Sequence, residues 1–257
     1  MTAHWKTVGG VEGPTPTHKR RRETRPAIPN PTGPISPGTN QLPQPGKPTN
    51  LRVGTLSVST GSPPDSERYA AELARHIAGS PWLVDVLEVV AASGLPDGWV
   101  GAGVIRDLVW DERFGSGFSP SGAKDVDVAF FDAEDLSSRR DQEAERVLKS
   151  VRPDIRWDAK NQAAVHLWYP SRFGIRVPTL VSTLDGVDTW PETATAVAVR
   201  LRSRELDVHA AAGLHDLLRG IWRRNSRRVT VNEYLARIER KRPHDRWPSI
   251  TVLGPDD

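Results

Sequence analysis

The chain of 257 residues contains no cysteine. This excludes disulfides and zinc–thiolate sites, and it leaves any metal to oxygen or imidazole ligands. No apolar run approaches the roughly 20 residues that a membrane-spanning helix requires, and the N-terminus lacks the apolar core of a signal peptide. A cytoplasmic location with no membrane partner is therefore expected. No internal repeat is apparent, and the histidines His166, His209 and His215 are too scattered for a zinc spacing. What is present, 37% hydrophobic and 26% charged residues, belongs to a globular protein. The net charge of +3 comes with basic residues concentrated in His18–Arg22 and, interleaved with acids, in Arg219–Arg246. The N-terminal tail does not interleave aromatic with basic residues, which argues against specific nucleic-acid readout there.

Composition divides the chain near residue 65. Of 22 prolines, 12 precede Asp65. With little apolar periodicity around them, residues 1–64 are expected to be a disordered leader and residues 65–257 the folded domain. A helix is predicted over Glu67–Ala74, and a second after Ser80-Pro81 with Leu83, Val84, Val86, Leu87, Val89 and Val90 on its apolar face. Ser138–Leu148, Leu214–Trp222 and Asn232–Lys241 also read as helices. Strands are predicted around Gly98–Val100, Asp125–Val128, Ile155–Asp158, Gln162–Trp168, Thr195–Leu201 and Leu206–His209. This irregular alternation gives an α+β class with a mixed, α/β-type sheet.

The chemistry concentrates in Val100–Asp132. In a strand over Lys124-Asp125-Val126-Asp127-Val128, Asp125 and Asp127 project from one face while Val126 and Val128 bury on the other. Two neighbouring carboxylates on an otherwise apolar strand repel each other and lose solvation, which a hard divalent cation relieves. Upstream, Gly101-Ala102-Gly103 turns a strand into a helix. Such a turn aims backbone N–H groups and a positive helix end at a phosphate. Arg106, one turn into that helix, and Lys124, beside the acids, add positive charge.

Gly101-Ala102-Gly103, Arg106-Asp107 and Asp125-Val126-Asp127 in that order resemble the polymerase-beta-like nucleotidyltransferase superfamily, CCA-adding enzymes in particular. The pattern is also similar to a bacterial nucleotidyltransferase family with a tryptophan-rich C-terminal half. That resemblance continues through Trp157–Ala163 with His166, Trp190–Val197 and Gly213–Leu218. It implies a polymerase-beta-like core with flanking helices, and transfer of a nucleoside monophosphate from a nucleoside triphosphate to an acceptor hydroxyl, with pyrophosphate leaving. It further implies two Mg2+ ions on Asp125 and Asp127, a triphosphate held around Gly101, Ala102 and Gly103, and a third carboxylate from a neighbouring strand. Asp158 is the candidate for that acid, with Asp132, Asp207 and Asp216 as competitors. Asn161 and Gln162 offer donors and acceptors for a base or ribose, or equally for backbone in a turn. The acceptor class stays open between a small molecule, a protein and an RNA end. A nucleotide-binding module without turnover and a basic nucleic-acid-binding protein are the alternatives, and the intact acids and glycines count against the first.

Overall fold

The structure, a computed structural model, describes residues 51–58 and 63–257. In chain order the elements are β1 (Arg52–Val58), α1 (Pro63–Ala78), α2 (Pro81–Ala92), β2 (Trp99–Gly101), α3 (Gly103–Phe114), β3 (Val126–Phe130), α4 (Ser138–Val151) and β4 (Trp157–Asn161). They continue as α5 (Val165–Phe173), α6 (Thr183–Val187), β5 (Ala198–Arg202), β6 (Glu205–Ala210), α7 (His215–Arg219), β7 (Ile221–Trp222), α8 (Val231–Lys241), α9 (Pro243–Arg246) and β8 (Thr251–Val252). A six-stranded mixed sheet of order β1-β6-β5-β2-β3-β4 organises the fold, with β7-β8 as a small second sheet. The outer pairs β1/β6 and β3/β4 are parallel and the inner pairs antiparallel. The expected α+β architecture with a mixed sheet is what forms.

The pleat sorts the strand residues into two faces. Val100, Val126, Val128, Phe130, Ala159, Val199, Leu206 and Val208 point to one side and bury in a single apolar core. The apolar faces of α1, α2 and α3 close that core, through Leu73 and Ile77, Leu83 and Leu87, and Ile105 and Leu108. α2 starts as the sequence predicts: Ser80 caps it, accepting from the Leu83 N–H at 3.4 Å, and Pro81 follows in the first turn. The opposite face is thinly covered. Trp99, Ala129, Ala198 and Val187 form a small cluster at α6, Asp207 and His209 are buried on the same face, and the part around Asp127 and Asp158 opens to a cleft.

Three expectations change. The strand Arg52–Val58 belongs to the sheet, so the leader predicted through residue 64 gives way to structure before that point. Val53, Leu56 and Val58 pack on the core, and the Thr55 N–H donates to Asp207 Oδ1 at 2.9 Å where the register shifts. Residues 1–50, including the basic His18–Arg22 cluster, lie outside the described residues. The segment Gln162–Trp168 turns helical rather than extended. The Asn161 side chain accepts from the Ala163 N–H and caps a 3-10 turn that runs into α5, where Val165 and Tyr169, four apart, bury together with Leu180. The helix predicted through Trp222 stops at Arg219, because Gly220 adopts φ +69° and a Cβ there would lie 2.7 Å from the Phe114 ring.

Among the described residues no helix is long and apolar enough to cross a membrane. Helix α8 begins with a capping box, Thr230 and Glu233. It is pinned by Tyr234, which is buried and whose hydroxyl approaches the carbonyls of Trp222 and Leu253 at 2.9 and 3.0 Å. Burial, and then the nearby Glu192 charge, push this phenol up to about 12. Removing the hydroxyl in Tyr234→Phe strips the phenol's hydrogen bonding from this buried corner. It is expected to cost about 1–3 kcal/mol, read as a lower urea midpoint with an unchanged slope.

Candidate active site

The site forms on the open sheet face. β3 and β4 pair in parallel with Asp127 directly opposite Asp158, while Gly101 of β2 sits across from Asp127 on the other side. Asp125 immediately precedes β3. Asp125, Asp127 and Asp158 all border one cleft of ≈ 770 Å3. Burial, and then the charges of Asp125 and Asp158, push the Asp127 carboxyl up to about 7, against the Gly103 N–H and the Arg106 guanidinium, which favour its ionised form. Asp158 is partly compensated by Lys160, whose ammonium is 2.6 Å from it and 2.9 Å from Glu145. The competitors are spent elsewhere: Asp132 on Arg140, Asp207 on Arg200 and Arg202, and Asp216 on Arg223 and Thr193.

The walls of the cleft come from α3, α5, the segment through Trp190, Pro191 and Thr195, and α8. α8 contributes Glu233, Ala236, Arg237, Arg240 and Lys241, a largely basic wall drawn from the Arg219–Arg246 stretch. A buried carboxylate holds it there. Glu192 is 1% exposed and receives Arg237 at 2.5 and 3.0 Å and the Thr195 hydroxyl at 2.9 Å. The reach of Glu192 to α8 is invisible to local spacing, since 45 residues separate the partners. Lys241 sits near Asp125, and burial and then the charges of Arg237, Arg106 and Lys124 hold its ammonium below the ordinary range, with Asp125 opposing.

A model of a nucleotidyltransferase family matches residues 88–252. The chain belongs to that family. A solution structure described as revealing a CCA-adding enzyme head domain aligns at 25% identity and a TM-score of 0.59, covering 71% of this chain and 95% of its own. Among curated proteins none matches significantly.

Within this nucleotidyltransferase the glycine turn works differently from the sequence expectation. Gly101 is bare because a Cβ would lie 2.5 Å from the Val197 carbonyl and 2.6 Å from the Trp190 ring. The Ala102 N–H donates to Val197 O at 3.1 Å, and the Gly103 N–H serves Asp127. The turn thus shapes the carboxylate site, and the uncapped first turn of α3, with Val104 at the cleft, is the part left for an anion. Arg106 borders the cleft but is itself 8% exposed, bonded to Asp107 at 2.9 and 2.5 Å and flanked by the rings of Trp110, Trp222 and Trp247. It is a fixed positive neighbour rather than a reaching arm. Lys124 borders the cleft as expected.

Asn161 is the clear correction. Its side-chain oxygen accepts from the N–H groups of Asp132 and Ala163, and its amide donates to the carbonyls of Asp132 and Asp135. With every one of those bonds used to hold a loop to β4, it does not face the cleft, and a nucleotide role for it is withdrawn. Gln162 does border the cleft, although its amide donates to the Lys160 carbonyl. Of the tryptophans, Trp168 and Trp190 line the cleft, whereas Trp157 and Trp222 are core.

Two outcomes follow from this geometry. Ala102 holds φ +54° and ψ −124°, a conformation that disfavours any Cβ. Ala102→Gly is expected to stabilise the protein by roughly 1 kcal/mol, measured by chemical denaturation. For Asp127, the folded carboxyl is pushed up to about 7, whereas the unfolded one stays at the ordinary aspartate value of 3.8. The unfolded state therefore ionises first, and the metal-free protein loses this group's contribution as pH rises from about 4 to about 7. Asp127→Asn is expected to flatten that slope and to raise the metal-free melting temperature at pH 8.

Proposed function

We propose that this nucleotidyltransferase moves a nucleoside monophosphate from a nucleoside triphosphate to an acceptor hydroxyl, releasing pyrophosphate, with two Mg2+ ions held by Asp125, Asp127 and Asp158. The observation that carries the reading is the in-register placement of Asp127 and Asp158 on adjacent strands, with Asp125 at the same cleft. The donor set suits Mg2+, since every ligand offered is a carboxylate oxygen, and the crowding that raises Asp127 is what a hard cation relieves. When bound, the ions supply charge neutralisation for the triphosphate and acidify the acceptor hydroxyl.

The remaining work falls to this chain's own groups. Lys124 and Lys241 lie near Asp125, pair with no carboxylate among the described residues, and would hold the β- and γ-phosphates. The uncapped N-terminus of α3 adds N–H donors and the positive end of a helix dipole at the same place. Arg106, locked on Asp107 among three indoles, contributes charge without rearranging, the preorganisation that electrostatic catalysis needs. Trp168 and Trp190 offer faces for a base.

The test uses ATP, GTP, CTP and UTP with and without Mg2+. A Mg2+-dependent thermal shift with one or more nucleotides is expected in the wild-type protein and is lost in Asp125→Asn. Pyrophosphate release in the presence of an accepted hydroxyl is expected to fall at least about 100-fold in Asp127→Asn and in Asp158→Asn. Full activity in these variants would sink the reading.

A further inference from the structure

Five cations border the cleft without a carboxylate partner among the described residues: Lys124, Arg172, Arg228, Arg240 and Lys241. They are not spread evenly. Lys241, at the C-terminal end of α8, feels the charges of Arg237, Arg106, Lys124 and Asp125, whereas Tyr169, by Glu233 at the N-terminal end, feels those of Glu233, Arg228 and Arg237. Glu233 and Lys241 are eight residues apart, about 12 Å along the helix. α8 therefore runs the length of the cleft, with a cationic group at each end.

The far group has a construction of its own. The Arg228 guanidinium lies 5.2 Å from the Tyr169 ring centre and the Arg172 guanidinium 5.4 Å from that of Phe173, and the two rings are 4.4 Å apart. One aromatic pair thus braces both guanidinium groups. Arg228 is half-buried, and burial holds its pKa below the ordinary range. No carboxylate lies within ion-pair distance of Arg228 among the described residues, and the Asp185 charge that reaches it is already paired with Arg227 at 2.8 Å. A partly buried guanidinium so placed is costly unless an anion visits it, and its planar fork suits a phosphate. A triphosphate seated with its charge at Lys124 and Lys241 leaves this end unmatched.

We propose that Arg172 and Arg228 form a phosphate subsite for the acceptor, which is then a small alcohol carrying a phosphate group. The inference rests on the transfer reaction proposed above. A cleft of ≈ 770 Å3 lies in the small-molecule range, which favours such an acceptor over a polymer end. In the reaction the acceptor hydroxyl oxygen bonds to the α-phosphorus, and the bond from that phosphorus to the α–β bridging oxygen breaks. Pyrophosphate takes the electron pair and the hydroxyl proton goes to solvent. The acceptor's own phosphate is a handle whose bonds do not change.

The test uses the full chain, loaded with Mg2+ and a non-hydrolysable analogue of whichever triphosphate gives the largest thermal shift. Inorganic phosphate is then titrated calorimetrically as the probe. Saturable binding to the loaded protein is expected, weakened at least tenfold in Arg172→Gln/Arg228→Gln, with partial recovery when residue 228 is Lys. The analogue's own affinity is expected to stay within about twofold in the double variant, which also reports that the variant is folded. Phosphate binding that is absent or equal in both proteins overturns the subsite. A tenfold loss of analogue affinity overturns it too, since these arginines would then be holding the nucleotide. A single-stranded RNA oligonucleotide that displaces the phosphate at lower concentration overturns the small-acceptor assignment. Failure of the analogue to bind wild-type protein would strike the transfer reaction itself, a result distinct from all of these.

Discussion

Parallel pairing of β3 with β4 sets Asp127 beside Asp158, and the alternation that buries Val126 and Val128 leaves no freedom to turn either acid away. The register that builds the core is the same register that crowds the carboxylates. A shift by one residue would relieve the acids only by exposing Val126, Val128 and Ala159. The charge conflict is therefore a consequence of the fold's main hydrophobic constraint, and the surrounding residues answer it only in part: Lys160 on Asp158, and the Gly103 N–H on Asp127. Gly101 fits the same logic. Its missing side chain lets Trp190 and the Val197 carbonyl close against β2 and define the edge of the cleft.

The second constraint is long-range. α8 is brought to the cleft by Glu192–Arg237 and by Tyr234, and α3 is tied to the C-terminal segment through Asp107 and Asp111, which share Arg246, with Trp247 bonded to Asp111 at 2.8 Å. Buried ion pairs contribute modestly to stability because both charges lose water, but removing one partner strands the other. Their consequence here is positional. The basic wall on α8 and the helix start of α3 face the same acids because separate networks hold each of them.

Sequence patterns revealed what depends on local periodicity. The apolar face of α2, the strand bearing Asp127 with Asp125 just before it, and the glycine turn into α3 all follow from spacing of side chains. Asp158 stood out from its strand pattern and sits opposite Asp127, although nothing local separated it from Asp132, Asp207 and Asp216; partners 7 to 8 residues away, and further, absorb those acids. The strand Arg52–Val58 was hidden by the prolines before it, since its partner β6 begins about 150 residues later. Asn161 shows the reverse failure. An amide next to a carboxylate-bearing strand reads as a ligand contact until the four backbone groups around it are seen.

The central claim is that the carboxylates of β3 and β4 act as one cation-binding unit. Its most direct measurement is a calorimetric count of Mn2+ ions bound per chain in the presence of a non-hydrolysable triphosphate. The account predicts two ions for the wild-type protein and a loss of saturable binding in Asp127→Asn, since Asp127 is the carboxyl on which the charges of both Asp125 and Asp158 act. Binding of the same number of ions at the same affinity in Asp127→Asn would contradict it.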